Sequence, residues 1–155
     1  MDTIGSYLAH DHAQHDALFA HACVEVRAGM WDAASATVAA LNAALLRHLH
    51  REEAIVFAAF DAIVKHDCSP TLALCREHRA VQGMLLRLKD AVVLRDASAF
   101  FKHAATVRVL MQHHHEKEET GFYPVAERIL AGQREALIAA MRRADAIETL
   151  PEGVD

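Results

Sequence analysis

Two copies of one pattern, 66 residues apart, constrain this chain more tightly than its composition does. Asp11-His12 falls on Glu77-His78, His48 on His114, Glu52-Glu53 on Glu118-Glu119, Arg51 on Lys117 and Phe57 on Tyr123. Each half reads acid-His, then 35 residues, then His-x-x-x-Glu-Glu, then an aromatic. The rest of the two halves matches loosely, so the pattern is a pseudo-repeat of structure. His12 and His48 lie 18 residues on either side of position 30, and His78 and His114 lie 18 on either side of position 96. In an antiparallel helical hairpin such pairs sit at one level, roughly 27 Å from the turn at about 1.5 Å per residue. Positions 52 and 78 straddle residue 65 in the same way, which brings all four histidines to one level.

Helices are expected throughout. Alanine, the best helix former, is the commonest residue, while glycine (6) and proline (3) are scarce. The first helix is expected from Asp2 or Thr3 to Gly29, and the second from an Asp32 cap to about Lys65-His66. Ser69-Pro70 starts the third, which ends near Arg95. Asp96 or Ser98 caps the fourth, which runs to about Thr120-Gly121. Pro124 restarts a shorter piece, and an amphipathic segment follows over roughly 133–147. Short connections make neighbouring helices antiparallel. The expected fold is therefore all-α, an up-down-up-down antiparallel four-helix bundle over 1–131. A C-terminal helix and tail, 132–155, packs on it or extends from it.

The spacing also gives the chemistry. Residues i and i+4 share a helix face, so His48 with Glu52 and His114 with Glu118 point inward together. Glu53 and Glu119, a further 100° round, are expected to point away. Four imidazoles and two carboxylates buried together are very unfavourable unless cations compensate them. Two metal ions fit, each with two histidines and both glutamates bridging. The metal ligands are thus His12, His48, Glu52, His78, His114 and Glu118. Imidazole and carboxylate donors with open positions point to iron, with manganese or zinc as alternatives. An oxo-bridged diferric pair and a bare diferrous pair, each held by two carboxylates, carry the same net charge. Such a centre suits redox work with O2, NO or peroxide. Asp11 and Glu77 are candidates to fix the imidazole tautomers. Of the other histidines, the register leaves His10, His50, His113 and His115 outside the centre, and His21, His66 and His103 read as ordinary surface or core residues. His15 stays open, as an extra ligand, a hydrogen-bond donor beside the centre, or neither.

A net charge of −5 argues against nucleic acid as the main partner, and no apolar run approaches a bilayer span. No basic, apolar leader opens the chain, and the three cysteines lack zinc-type spacing. A cytoplasmic protein with reduced thiols is expected.

The pairs Asp11-His12 and Glu77-His78, with His48-x-x-x-Glu52-Glu53 before Val56-Phe57 and His114-x-x-x-Glu118-Glu119 before Tyr123-Pro124, resemble the hemerythrin-like family, the HHE cation-binding domain. The resemblance spans roughly residues 5–130. It implies a four-helix bundle around a non-haem di-iron centre with an oxo or hydroxo bridge. It also implies roles in O2 binding, sensing of O2 or NO, iron handling, or repair of iron–sulfur centres. The oxygen carriers of the family have a further histidine four residues from the helix-3 ligand, where this chain has Leu74 and Gln82. Their fourth helix also presents an Asp at i+5, where this chain has Glu118 at i+4. The chain is thus more similar to the four-His, two-Glu members. Among function classes, a module that binds a diatomic gas, peroxide or iron is favoured over a di-iron enzyme, either an oxidase or a peroxide-consuming protein.

Overall fold

The computed structural model describes residues 2–65 and 69–148, without the side chains of 147 and 148. It is all-helical, with no strand among the described residues. Helix α1 spans Ile4–Arg27, α2 Trp31–Arg51, α3 Ala58–Ile63, α4 Pro70–Val93, α5 Ala97–Lys117, α6 Tyr123–Ile129 and α7 Arg134–Glu148. Two π-helical turns, Glu52–Phe57 and Glu118–Phe122, join α2 to α3 and α5 to α6 without a break.

The ends follow local chemistry. Thr3 caps α1 and forms a reciprocal capping box with Ser6. Asp96 caps α5 by accepting from the Ala99 amide, so Ser98 is not the cap. Ser69 precedes Pro70 at the start of α4. The second helix begins earlier than expected: Met30 is its N-cap, and Asp32 lies in the first turn, where a carboxylate still favours the helix dipole. It ends at Ile63, and His66 lies outside the described residues. The fourth helix does not stop at Thr120-Gly121, because the second π turn carries it on into α6.

Both hairpin turns close alike. The Met30 amide donates to the Glu25 carbonyl and the Gly29 amide to Val26, while Asp96 donates to Ala91 and Arg95 to Val92. This is a Schellman closure, which needs a left-handed residue. Gly29 supplies it at φ 71° and Arg95 at φ 53°, so the 66-residue register extends to the turns.

Helix α1 packs on α2 and α5, and α4 packs on α5 and α2. The apolar interior falls into two clusters. One, at the hairpin-turn end, includes Phe19, Leu41, Leu45, Leu85, Phe100 and Val107. The other includes Ile4, Leu8, Val56, Phe60, Phe122 and Leu130, and Leu137, Ile138 and Met141 of α7 complete it. Between the clusters lies a layer of buried His and Glu. Helix α7 is further fixed by Asp145, which accepts from Tyr7 Oη at 2.6 Å and from Arg51 at 2.8 Å. Among the described residues no helix is long and apolar enough to cross a membrane.

Candidate metal centre

His12 comes from α1, His48 from the last turn of α2, His78 from α4, and His114 from the last turn of α5, with Glu52 and Glu118 opening the two π turns. All six are buried, and His78, Glu52 and Glu118 are fully so. Donor atoms of Glu52, His78, His114 and Glu118 lie within 4.8 Å of one another, as do those of His12, His48 and Glu118. The six residues thus gather into two groups that share Glu118. Its Oε1 lies 2.9 Å from His114 Nε2, and its Oε2 lies 3.3 Å from His12 Nε2. Oε2 of Glu52 lies 3.4 Å from His48 Nε2 and 3.3 Å from His78 Nε2.

Each imidazole is held from behind. Nδ1 of His12 donates to Glu119 (2.7 Å), His48 to Asp11 (3.0 Å), His78 to Glu53 (2.8 Å) and His114 to Glu77 (3.1 Å). A proton fixed on Nδ1 turns Nε2 inward, the atom that a metal takes up once any second proton has left it. Asp11 and Glu77 therefore take the places open to them in the sequence. Glu53 and Glu119 do not point away. The expectation for them assumed an α-helical step of 100°. A π turn bonds i to i+5 and advances by a smaller angle, so adjacent glutamates both reach the centre.

The same turn brings in a residue the sequence reading did not assign. Positions i and i+5 stack in a π turn, which sets Tyr123 over Glu118 and Phe57 over Glu52. Tyr123 is buried, and its hydroxyl donates to Glu52 Oε1 at 2.7 Å, with Glu118 Oε2 at 3.3 Å. Phe57 stacks on His78 with ring centroids 5.7 Å apart. Gly5 lets α1 approach here, since a Cβ on it would come within 3.0 Å of Tyr123 Cβ.

Two more histidines pack beside the centre. His115 is not an outward member of its run. It is buried and stacks on His12 at 3.8 Å with an interplanar angle of 8°. Its counterpart in the repeat, Leu49, is likewise buried. His113 is exposed and lies outside the centre, as expected. His15 is fully buried, with its ring centroid 5.2 Å from that of His48. Neither of its nitrogens makes a hydrogen bond, although the Ala44 backbone lies close enough to favour the protonated ring slightly. Burial and the neighbouring His48 push its pKa down to about 3. It belongs to neither of the two donor groups.

The electrostatics describe a site waiting for positive charge. Burial opposes a proton on His78, but Glu118 and Glu52 outweigh it and raise the ring to about 10. His12 is raised despite its burial by Glu118 and Glu119. Burial pushes Glu118 up, yet contacts with His114, His12 and His78 hold it far below the usual carboxylate range. Burial and then Glu52 push Tyr123 well above an ordinary phenol, so the hydroxyl keeps its proton. Buried atoms that make no hydrogen bond of acceptable geometry include Glu52 Oε2, His78 Nε2, His114 Nε2 and Glu118 Oε1, the last two being 2.9 Å apart but poorly aligned. Those atoms come one from each residue of the larger donor group. In the smaller group, His12 Nε2 faces His48 Nε2 at 3.2 Å. A second proton on His12, which Glu118 and Glu119 favour, makes that contact a hydrogen bond between the rings; without it two lone pairs oppose each other there. Such groups are costly to bury unless something binds them, and a cation in each group satisfies them all. The residues can hold metal ions.

A third set, Glu53, Cys75 and His78, also lies within 4.8 Å. There the imidazole edge on that side is His78 Nδ1, which Glu53 already occupies. Cys23 and Cys75 are free thiols, and Cys68 lies outside the described residues. Comparison with protein-family models, with curated proteins and with solved structures gave no match.

Proposed function

We propose that the chain is a hemerythrin-like protein, an up-down-up-down four-helix bundle that holds two iron ions and binds or reacts with O2, NO or peroxide. The observation that carries this reading is the convergence of four imidazoles, each clamped at Nδ1, on two carboxylates whose inner atoms lack partners. The neighbour relations support the bundle, since α1–α2, α2–α4, α4–α5 and α5–α1 contacts form a closed ring.

Glu52, His78, His114 and Glu118 would hold one ion, and His12, His48 and Glu118 the other. Bound iron there supplies redox electrons and exchangeable coordination positions. The protein does the rest. Its Nδ1 clamps keep the ligands in one tautomer and orientation, so little rearrangement accompanies a change in charge. The apolar clusters on both sides of the layer limit water. Tyr123 Oη holds a proton at the edge of the site and orients Glu52. The donor set, rich in imidazole and carboxylate and poor in thiolate, favours iron over softer metals.

We take binding before catalysis as the first reading. Anaerobic, iron-loaded protein mixed separately with O2, NO and peroxide tests this. A reversible spectral change with at least one of them is expected. Sustained consumption of peroxide, or of O2 with a reductant, would move the assignment to a di-iron enzyme. No change with any of the three would overturn the reading.

A further inference from the structure

Three of the four carboxylates behind the imidazoles are themselves neutralised. Asp11 meets Arg51, Glu53 meets Arg79 and Glu77 meets Lys117. Glu119, behind His12, pairs with no lysine or arginine among the described residues. Its side chain is also the most exposed of the four, at 45% against 13%, 25% and 30% for Asp11, Glu53 and Glu77. A cation approaching through any of the other three clamps must pass a fixed positive charge, and through Glu119 it need not.

Glu119 opens on a groove of about 730 Å³ between α1 and α5 that has His12 among its lining residues. Asp16, Glu116 and Glu119 line it against one cation, Arg108. That guanidinium lies 5.5 Å over the Phe19 ring, two turns along α1 from His12, where it still offsets part of the Asp16 charge. Asp16 and Glu116 are exposed and form no ion pair among the described residues. The groove's other notable residue is His115. It is only 8% exposed, it packs face to face on His12, and its ring nitrogens, without a partner in the protein, reach the solvent of the groove. A mostly buried imidazole whose nitrogens take no protein partner and reach the groove is a donor open to an incoming cation.

We propose that this groove is the entry port by which a divalent transition-metal cation reaches the His12–His48 position, with Asp16, Glu116 and Glu119 drawing it in and His115 serving as its transient ligand. The proposal rests on the di-metal reading and adds a route to it. The carboxylates gather a hydrated cation, as a charged cleft raises the local concentration of its ligand. The imidazole of His115 then replaces part of the hydration shell before His12 and His48 take the ion. Carboxylate followed by imidazole is the donor sequence that suits iron(II), manganese(II), cobalt(II) and zinc(II).

Cobalt(II) uptake by the metal-free full chain, followed by stopped-flow visible absorption at low ionic strength, tests the route. The double variant Asp16→Asn/Glu116→Gln changes only exposed groove residues. The control, Asp32→Asn/Asp90→Asn, removes the same charge at exposed positions near the hairpin turns. The groove variant is expected to load roughly three- to tenfold more slowly, in line with steering by a local field. It should still reach the endpoint of the unaltered chain, and the difference should vanish at about 0.5 M salt, where screening is short-ranged. The control should load at the unaltered rate. Equal rates for groove variant and control overturn the entry port, and so does a lowered endpoint with an unchanged rate. If even the unaltered chain takes up no cobalt, the di-metal reading fails and the route fails with it.

Discussion

Replacing Tyr123 by phenylalanine removes one oxygen atom from the middle of the molecule and tests whether the buried carboxylates are as exposed to loss as their geometry implies. The hydroxyl lies 2.7 Å from Glu52 Oε1, and Glu52 is fully buried. Its other oxygen, Oε2, has no hydrogen-bond partner. A hydrogen bond to a charged group contributes about 1.5–3 kcal/mol, and a buried acceptor stripped of its donor lies toward the upper end of that range. The ring itself fits unchanged, as Phe57 does at the matching position. For a chain of this length each kcal/mol moves the melting temperature by about 2–4 °C, so metal-free Tyr123→Phe should melt roughly 4–10 °C lower. With metal bound, the cation takes over compensation of Glu52 and the loss should be smaller. Thermal unfolding followed by circular dichroism, with chelator and with metal, measures both. A metal-free variant melting within about 1 °C of the unaltered chain would refute the argument, since such a shift corresponds to under about 0.5 kcal/mol.

His115→Ala should destabilise the fold by about 1–3 kcal/mol, because it empties a buried site stacked on His12, while exposed His113→Ala should stay within about 0.5 kcal/mol in denaturant titrations. Gly5→Ala should destabilise despite alanine's better helix propensity, since the new Cβ meets Tyr123 Cβ at 3.0 Å and that atom is fixed by its backbone; a more stable variant in the same titration would show that α1 can move away. His78, raised from 6.5 to about 10, is protonated at neutral pH in the metal-free protein. Its contribution to stability is complete below the unfolded value and lost as pH rises through the folded one. Metal-free stability should therefore decline between about pH 7 and 10, and metal uptake at pH 7 should release protons, seen as a heat that depends on the buffer.

The helices and the buried layer were legible because both follow from spacing. Sparse breakers at Gly29, Pro70 and Asp96 set the segments, and equal distances from the turns bring His12, His48, His78 and His114 to one level. The i, i+4 rule then carries Glu52 and Glu118 inward. What was not legible has one main cause. A change from an i+4 to an i+5 turn leaves no compositional mark, yet it swings Glu53 and Glu119 onto Nδ1 atoms and Tyr123 onto Glu52. The match of Phe57 with Tyr123 was the available signal, because a buried aromatic recurring at i+5 fits a π turn and not an α turn. His115 and His15 were hidden by their residue type. Their counterparts Leu49 and Val81 are core residues, and that pairing marked both positions as buried. The docking of α7 depends on Asp145 reaching Arg51 and Tyr7 across the chain, which no local pattern encodes.

The central claim is that the two convergent groups hold two iron ions, and metal analysis addresses it most directly. Protein produced with iron, manganese and zinc all available should be assayed for each metal per chain, alongside its near-ultraviolet and visible spectrum. The account predicts about two iron atoms per chain with ferric absorption. It also predicts fewer than two for His114→Ala, with His113→Ala unchanged. One zinc per chain with no iron, or a folded protein free of any metal, would contradict it.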